Sequence, residues 1–153
     1  MAYRIGQTVP DFTAPSTLGD ITLSLLRGNK VVLYFYPKDN TTGCTLEGQN
    51  FRDLHPQFVK AGAAVLGISR DSIKSHQLFC EQEKLPFPLI SDVAESLTRS
   101  FDVIKTKTMY GKPVQGVERS TFVIDQYGAL VKEWRAVKVP GHAEDVLSYI
   151  KTL

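Results

Sequence analysis

The sequence predicts an α/β fold, a mixed central sheet flanked by helices on both faces, on three observations. Two continuous apolar runs, KVVLYFY at 30–36 and AAVLGIS at 63–69, are each followed by a stretch of helical pattern. Such runs are strands covered on both faces, and a strand–helix–strand succession implies parallel pairing. Finally, STFVID at 120–125 and ALVKEW at 129–134 face each other across the turn Gln126-Tyr127-Gly128, which gives an antiparallel hairpin.

Taken in order, residues 6–26 are rich in turn formers, and the segments at 13–15 and 18–20 form a small hairpin or meander at the sheet edge. The 30–36 run is the first central strand. A helix over about 44–60 presents Phe51, Leu54 and Phe58 as its stripe, with Pro56 as a kink. Carrying that stripe back four residues places Glu47, a carboxylate, on the core-facing side of the first turn. The second strand, 63–69, leads to a helix over about 72–84 capped by Asp71 or Ser72. Its apolar residues share no single face, since Ile73 and Cys80 lie together while Leu78 and Phe79 point nearly opposite. That helix is therefore expected to dock weakly and to unfold locally. Prolines 86 and 88 end it and lead to a short strand at 89–91, then a short helix at 94–101. The polar 103–118 stretch, with Gly111, Pro113 and Gly116, is expected to be a loop. The hairpin follows, and a helix from 142 to 153 closes the chain with Val146, Tyr149 and Ile150 inward.

Composition sets the frame for function. The chain has 153 residues, 42% hydrophobic and 22% charged, with a net charge of +2. A single domain over 1–153 is expected. The charge is too mild and too scattered to argue for nucleic acid or an anionic membrane, so neither partner is expected. No apolar run approaches the ~18 residues of a membrane span and the N-terminus lacks an apolar signal core, which leads to the expectation of a soluble cytoplasmic protein. Two cysteines do not make a disulfide scaffold. They are inert core thiols or redox groups.

Cys44 stands out by position. It follows the first central strand and opens a helix, where free N–H groups of the first turn favour a thiolate and make it a candidate nucleophile. His76 and Cys80 have the i, i+4 spacing of zinc ligands, but no partner pair lies nearby, so no metal or cofactor is expected. His55 and His142 are expected at the surface or in packing.

The element order, with a cysteine ending the first central strand, matches a thioredoxin-like fold. Position 41 holds Thr where a Cys-x-x-Cys motif would place its first cysteine, which disfavours a protein thiol–disulfide oxidoreductase. With Pro37 the motif becomes Pro-x-x-x-Thr-x-x-Cys, and the sequence resembles the peroxiredoxins. The resemblance extends through 6–12, 37–47, Asp53-Leu54, 67–69 and RSTFVID at 119–125. The 139–147 stretch, VPGHAEDVL, resembles the bacterioferritin comigratory protein, or peroxiredoxin Q, branch.

The resemblance implies a thiol peroxidase for hydrogen peroxide and alkyl hydroperoxides. Cys44 is then the peroxidatic thiolate and Arg119 its cation. The Thr41 hydroxyl and the N–H groups of Gly43 and Cys44 hold the peroxide oxygens, Pro37 shields the thiolate, and Glu47 grips and aims Arg119. Attack produces a sulfenic acid that a second thiol captures. Many members of the branch carry the resolving cysteine five residues after the peroxidatic one, where this chain has Gln49. Others carry it in the following helix, as Cys80 is here. The implied reductant is thioredoxin or glutaredoxin, and the implied state a monomer. Resolution by an external thiol and a non-enzymatic redox sensor are the alternatives.

Thiolate content alone does not make such a site fast. For any thiol, lowering the pKa from ~8.5 to ~6 raises the thiolate fraction at pH 7 roughly 30-fold. Nucleophilicity falls at a Brønsted slope near ~0.45, which costs about 13-fold. The net gain is about twofold, so orientation and hydrogen bonds to the developing oxyanion carry the rate.

Overall fold

The computed structural model describes residues 2–153. Two short antiparallel strands, β1 (Thr13–Ala14) and β2 (Ile21–Thr22), and one 3-10 turn (Leu23–Leu26) precede the main sheet. Then come β3 (Lys30–Phe35), α1 (Thr42–Lys60), β4 (Ala63–Ser69), α2 (Ile73–Glu83), β5 (Leu89–Ser91) and α3 (Ser96–Ser100). The chain continues through β6 (Ile104–Met109), β7 (Lys112–Val117), β8 (Ser120–Ile124), β9 (Leu130–Trp134) and α4 (His142–Ile150). The central sheet has the order β5-β4-β3-β8-β9. Strands β3, β4 and β5 run parallel, whereas β8 and β9 pair antiparallel.

Successive side chains of a strand point to opposite faces, and β3 shows what that does here. Val31, Leu33 and Phe35 enter one core, with Leu23 of the 3-10 turn and Leu97 and Phe101 at α3. Val32, Tyr34 and the following Tyr36 enter the other, with Phe51 and Phe58 of α1, Phe79 of α2, and Val146 and Ile150 of α4. A strand covered on both sides must be apolar throughout, as the 30–36 run is. Tyr34 lies opposite Gly67 in the ladder. A Cβ on Gly67 would sit 2.8 Å from the Tyr34 ring and 2.6 Å from Leu89, so glycine is what lets the ring lie across β4.

Three expectations are corrected. Helix α1 starts at Thr42, two residues early, and runs unbroken through Pro56. The 103–118 segment is not a loop: β6 and β7 form a six-pair antiparallel ribbon turning at Tyr110 and Gly111, both at positive φ. Most of its residues are exposed on both faces, so no apolar alternation marked it. Only the Tyr-Gly turn did. Third, α2 does have a docking face, though a small one. His76 and Phe79 are fully buried on it, and counting only apolar residues hid the histidine that completes it.

Candidate active site

Strand β3 ends at Phe35 and delivers the chain into a loop, 36–41, that leads to α1. Phe35 is paired with Ser120, so the residue before Ser120, Arg119, lies beside the start of that loop. Sheet register thus brings together groups 75 positions apart. The Arg119 Nη2 donates to Cys44 Sγ at 3.3 Å, and its Nη1 pairs with Glu47 Oε1 at 2.6 Å. Cys44 is 2% exposed and Glu47 1%. Gly43 makes room for this arrangement, because a Cβ there would lie 3.2 Å from Arg119 Nη2.

Burial pushes the Glu47 carboxyl up to about 7, against the pull of Arg119. One reason is visible: among the described residues Oε2 is buried without a hydrogen-bond partner, and Arg119 holds only the other oxygen. Burial also works against the Arg119 charge, but Glu47 and Cys44 outweigh it and raise the Arg119 pKa. The guanidinium therefore stays charged beside the sulfur.

Pro37 is half-buried at the head of the loop, and Thr41 is exposed at its end. Thr41 occupies the N-cap position of α1, yet its hydroxyl makes no cap bond and donates to the Lys38 carbonyl at 2.8 Å. That bond ties the loop to itself and leaves the hydroxyl oxygen as an acceptor. Cys80 stands apart from this cluster. It is half-buried on α2, packs against the same core as Cys44, and lines a cleft of about 320 Å³ with Thr17, Gln77 and Leu85. Both thiols are free. Burial pushes the Cys80 thiol up. Gln49 bridges to Glu83 of α2 at 2.8 Å.

The sequence reading missed one buried polar cluster. Asp39, in the same loop, accepts from Tyr36 at 2.6 Å and from Ser75 at 2.7 Å, and bonds His76 Nδ1 at 2.7 Å. His76 Nε2 faces the Ile90 carbonyl at 2.9 Å. The Asp39 N–H donates to Asp71 Oδ2 at 2.9 Å, and the Ser69 hydroxyl donates to that same oxygen. Donor atoms of Asp39, Asp71 and His76 lie within 4.8 Å of one another, the grouping of a metal site. Each already has a hydrogen-bond partner, and the direct Asp39–His76 contact leaves no space for an ion between them. Only the gap in the α2 stripe, filled by His76, signalled the cluster. Of the other histidines, His142 is buried, bonded to the Thr121 hydroxyl at 2.8 Å and stacked edge-on to Phe51 and Trp134.

A charged guanidinium holding a buried sulfur at a helix start suits a thiolate nucleophile with a donor for a developing oxyanion. The AhpC/TSA family matches residues 5–133. Peroxiredoxin Bcp of Xanthomonas campestris is 54% identical over 143 residues, which cover 92% of this chain and 89% of that protein. A peroxiredoxin Q mutant structure from Xylella fastidiosa superposes with a TM-score of 0.94 at 47% identity, covering 99% and 98% of the two chains. A structure of the Xanthomonas campestris bacterioferritin comigratory protein, a trapped intermediate/ligand complex described for its alkyl peroxide reduction activity, does so at 0.89 and 51%, covering 92% and 90%. The chain is therefore a member of the AhpC/TSA family, a peroxiredoxin of the Bcp, or peroxiredoxin Q, branch.

Proposed function

We propose that this peroxiredoxin reduces hydrogen peroxide and alkyl hydroperoxides by a two-cysteine cycle, with Cys44 peroxidatic and Cys80 resolving. The observation that carries this reading is the single guanidinium that spans Cys44 and Glu47. The Cys44 thiolate attacks one peroxide oxygen, the O–O bond breaks, and the other oxygen leaves as hydroxide or alkoxide. Arg119 offers its N–H groups to that charge, while the N–H groups of the first turn of α1 serve the oxygen bound to sulfur. Thr41 accepts a hydrogen bond from the hydroperoxide proton, and Pro37 restricts access. Glu47 aims the guanidinium. The alkyl peroxide chemistry described for the Xanthomonas campestris protein supports this substrate class.

Cys44 then carries a sulfenic acid, which Cys80 captures within the same chain. Thioredoxin, or glutaredoxin, reduces the resulting disulfide. The one-domain protein acts as a monomer in the cytoplasm; among the described residues no helix is long and apolar enough to cross a membrane. Mass mapping under non-reducing conditions after one equivalent of peroxide tests the cycle. A Cys44–Cys80 link within one chain is expected, together with steady turnover in the presence of thioredoxin and its reductase. A persistent sulfenic acid would assign resolution to an external thiol, and oxidation without turnover would mark a sensor.

A further inference from the structure

The Asp39–His76 pair is used by no step of this cycle, yet the fold invests heavily in it. Asp39 is 4% exposed and His76 0%. Burying such groups is costly unless they are paired, and the cost is met here by Tyr36, Ser75 and the Ile90 carbonyl. Both ring nitrogens of His76 face acceptors, a carboxylate on one side and a carbonyl on the other.

The pair also connects two particular places. Asp39 lies between Pro37 and Thr41, in the loop before Cys44, and His76 lies one helical turn before Cys80. Helix α2 buries only His76 and Phe79, whereas α1 and α4 bury five residues each. Its C-terminal end is held to α1 by Gln49 and Arg52, both half-exposed. Asp39 and Phe79 are thus its main interior anchorage. A disulfide requires Cα atoms within ~7 Å, and two cysteines on separately packed helices reach that only when one helix lets go. The helix with the fewest anchors is the one to move.

We propose that Asp39 and His76 are positioning residues whose bond clasps α2 to the loop preceding Cys44 and sets how often the segment carrying Cys80 is released. The consequence for catalysis rests on the two-cysteine cycle above. On release, the Cys80 sulfur attacks the sulfenic sulfur of Cys44. An S–S bond forms, the S–O bond breaks, and the hydroxyl departs as water with the Cys80 proton. The sulfenic acid is reduced as the thiol is oxidised, so no further oxidant is needed. A tight clasp lengthens the life of the sulfenic acid, and a loose one shortens it.

Amide hydrogen exchange on the reduced protein measures release without any redox step. In His76→Asn, exchange over residues 73–83 is expected to quicken about tenfold or more while residues 142–150 stay unchanged. The rate of disulfide formation after one equivalent of peroxide rises severalfold, Cys44 oxidation changes by less than about threefold, and less sulfinic acid accumulates in excess peroxide. Ser75→Ala removes one bond to Asp39 at a half-exposed serine and is expected to move exchange about threefold in the same direction; it decides the matter if His76→Asn does not fold. Exchange over 73–83 that moves no more than over 142–150 overturns the clasp. Faster exchange with an unchanged rate of disulfide formation overturns its control of resolution. Absence of any Cys44–Cys80 link in the unaltered protein refutes the two-cysteine cycle instead, and leaves the clasp to be judged by exchange alone.

Discussion

Two carboxylates lie buried on either side of the turn that carries Cys44, and their environments drive them apart. Glu47, at 1% exposure, has one partner on one oxygen, and burial pushes its carboxyl up to about 7. Burial alone would likewise push Asp39 up, but bonds from His76, Tyr36 and Ser75 outweigh it and hold its carboxyl below the ordinary range. Both are shielded from solvent, but Glu47 lies deeper and has fewer donors. A fully bonded carboxylate is a structural fixture. One left half-bonded near the Cys44 sulfur changes charge near neutral pH and can change its grip on Arg119.

The sharpest way to break this contrast is to remove the one partner Glu47 has among the described residues. Arg119→Ala is expected to lower the rate constant for peroxide by ~10²–10³, far beyond any change in Cys44 thiolate content, as seen by stopped-flow kinetics beside ultraviolet titration of the thiolate. Equal losses in the two measurements would return the rate to thiolate content alone. Glu47→Gln should cost roughly tenfold in rate by loosening the aim of the guanidinium. It also has a signature in stability. A carboxyl raised from 4.5 to about 7 on folding contributes stability that is full below about 4.5 and is lost as pH rises through 7. That loss should vanish in Glu47→Gln when unfolding is followed across neutral pH.

On the other side of the contrast, Tyr36→Phe takes one donor from Asp39. Stability should fall by about 1–2 kcal/mol in urea titration, with the peroxide rate constant changing less than about threefold. A large rate loss would mean that the Asp39 cluster and the Arg119 cluster are not separable. The smallest effect on rate is expected at His142, where burial depresses the pKa from 6.5 to about 4. The unfolded chain takes up that proton first, so this contribution is present above about 6.5 and is lost as pH falls toward 4. His142→Gln, which can keep a bond to Thr121, should leave the peroxide rate constant unchanged and flatten the acid limb of the stability curve by up to about 1.4 kcal/mol per pH unit between 6.5 and 4.

Legibility followed the range over which each feature is decided. Cys44 on its turn and Glu47 on the inner face of α1 were readable because a strand run and a helical period are local patterns. Arg119 was reached only through the family pattern, since nothing around it in the chain distinguishes it from a solvated strand end. The Asp39–His76 bond spans 37 positions and was invisible, because an aspartate in a loop and a histidine in a helix carry no mark of each other. Thr41 stands at the N-cap position of α1 without a side-chain cap bond, because its hydroxyl found a carbonyl three residues back. The β6–β7 ribbon escaped because solvent on both faces leaves no hydrophobic period to detect.

By itself, then, the sequence determined the strands and helices that bury an apolar face and a thiol at a helix start, since apolar periodicity and turn chemistry act within a few residues. Tertiary structure decided what stands beside that thiol. Two-faced burial of β3 sets its register against β8, because a slip of one residue would turn every side chain to the wrong core. That register is what brings Arg119 to Cys44 and Glu47.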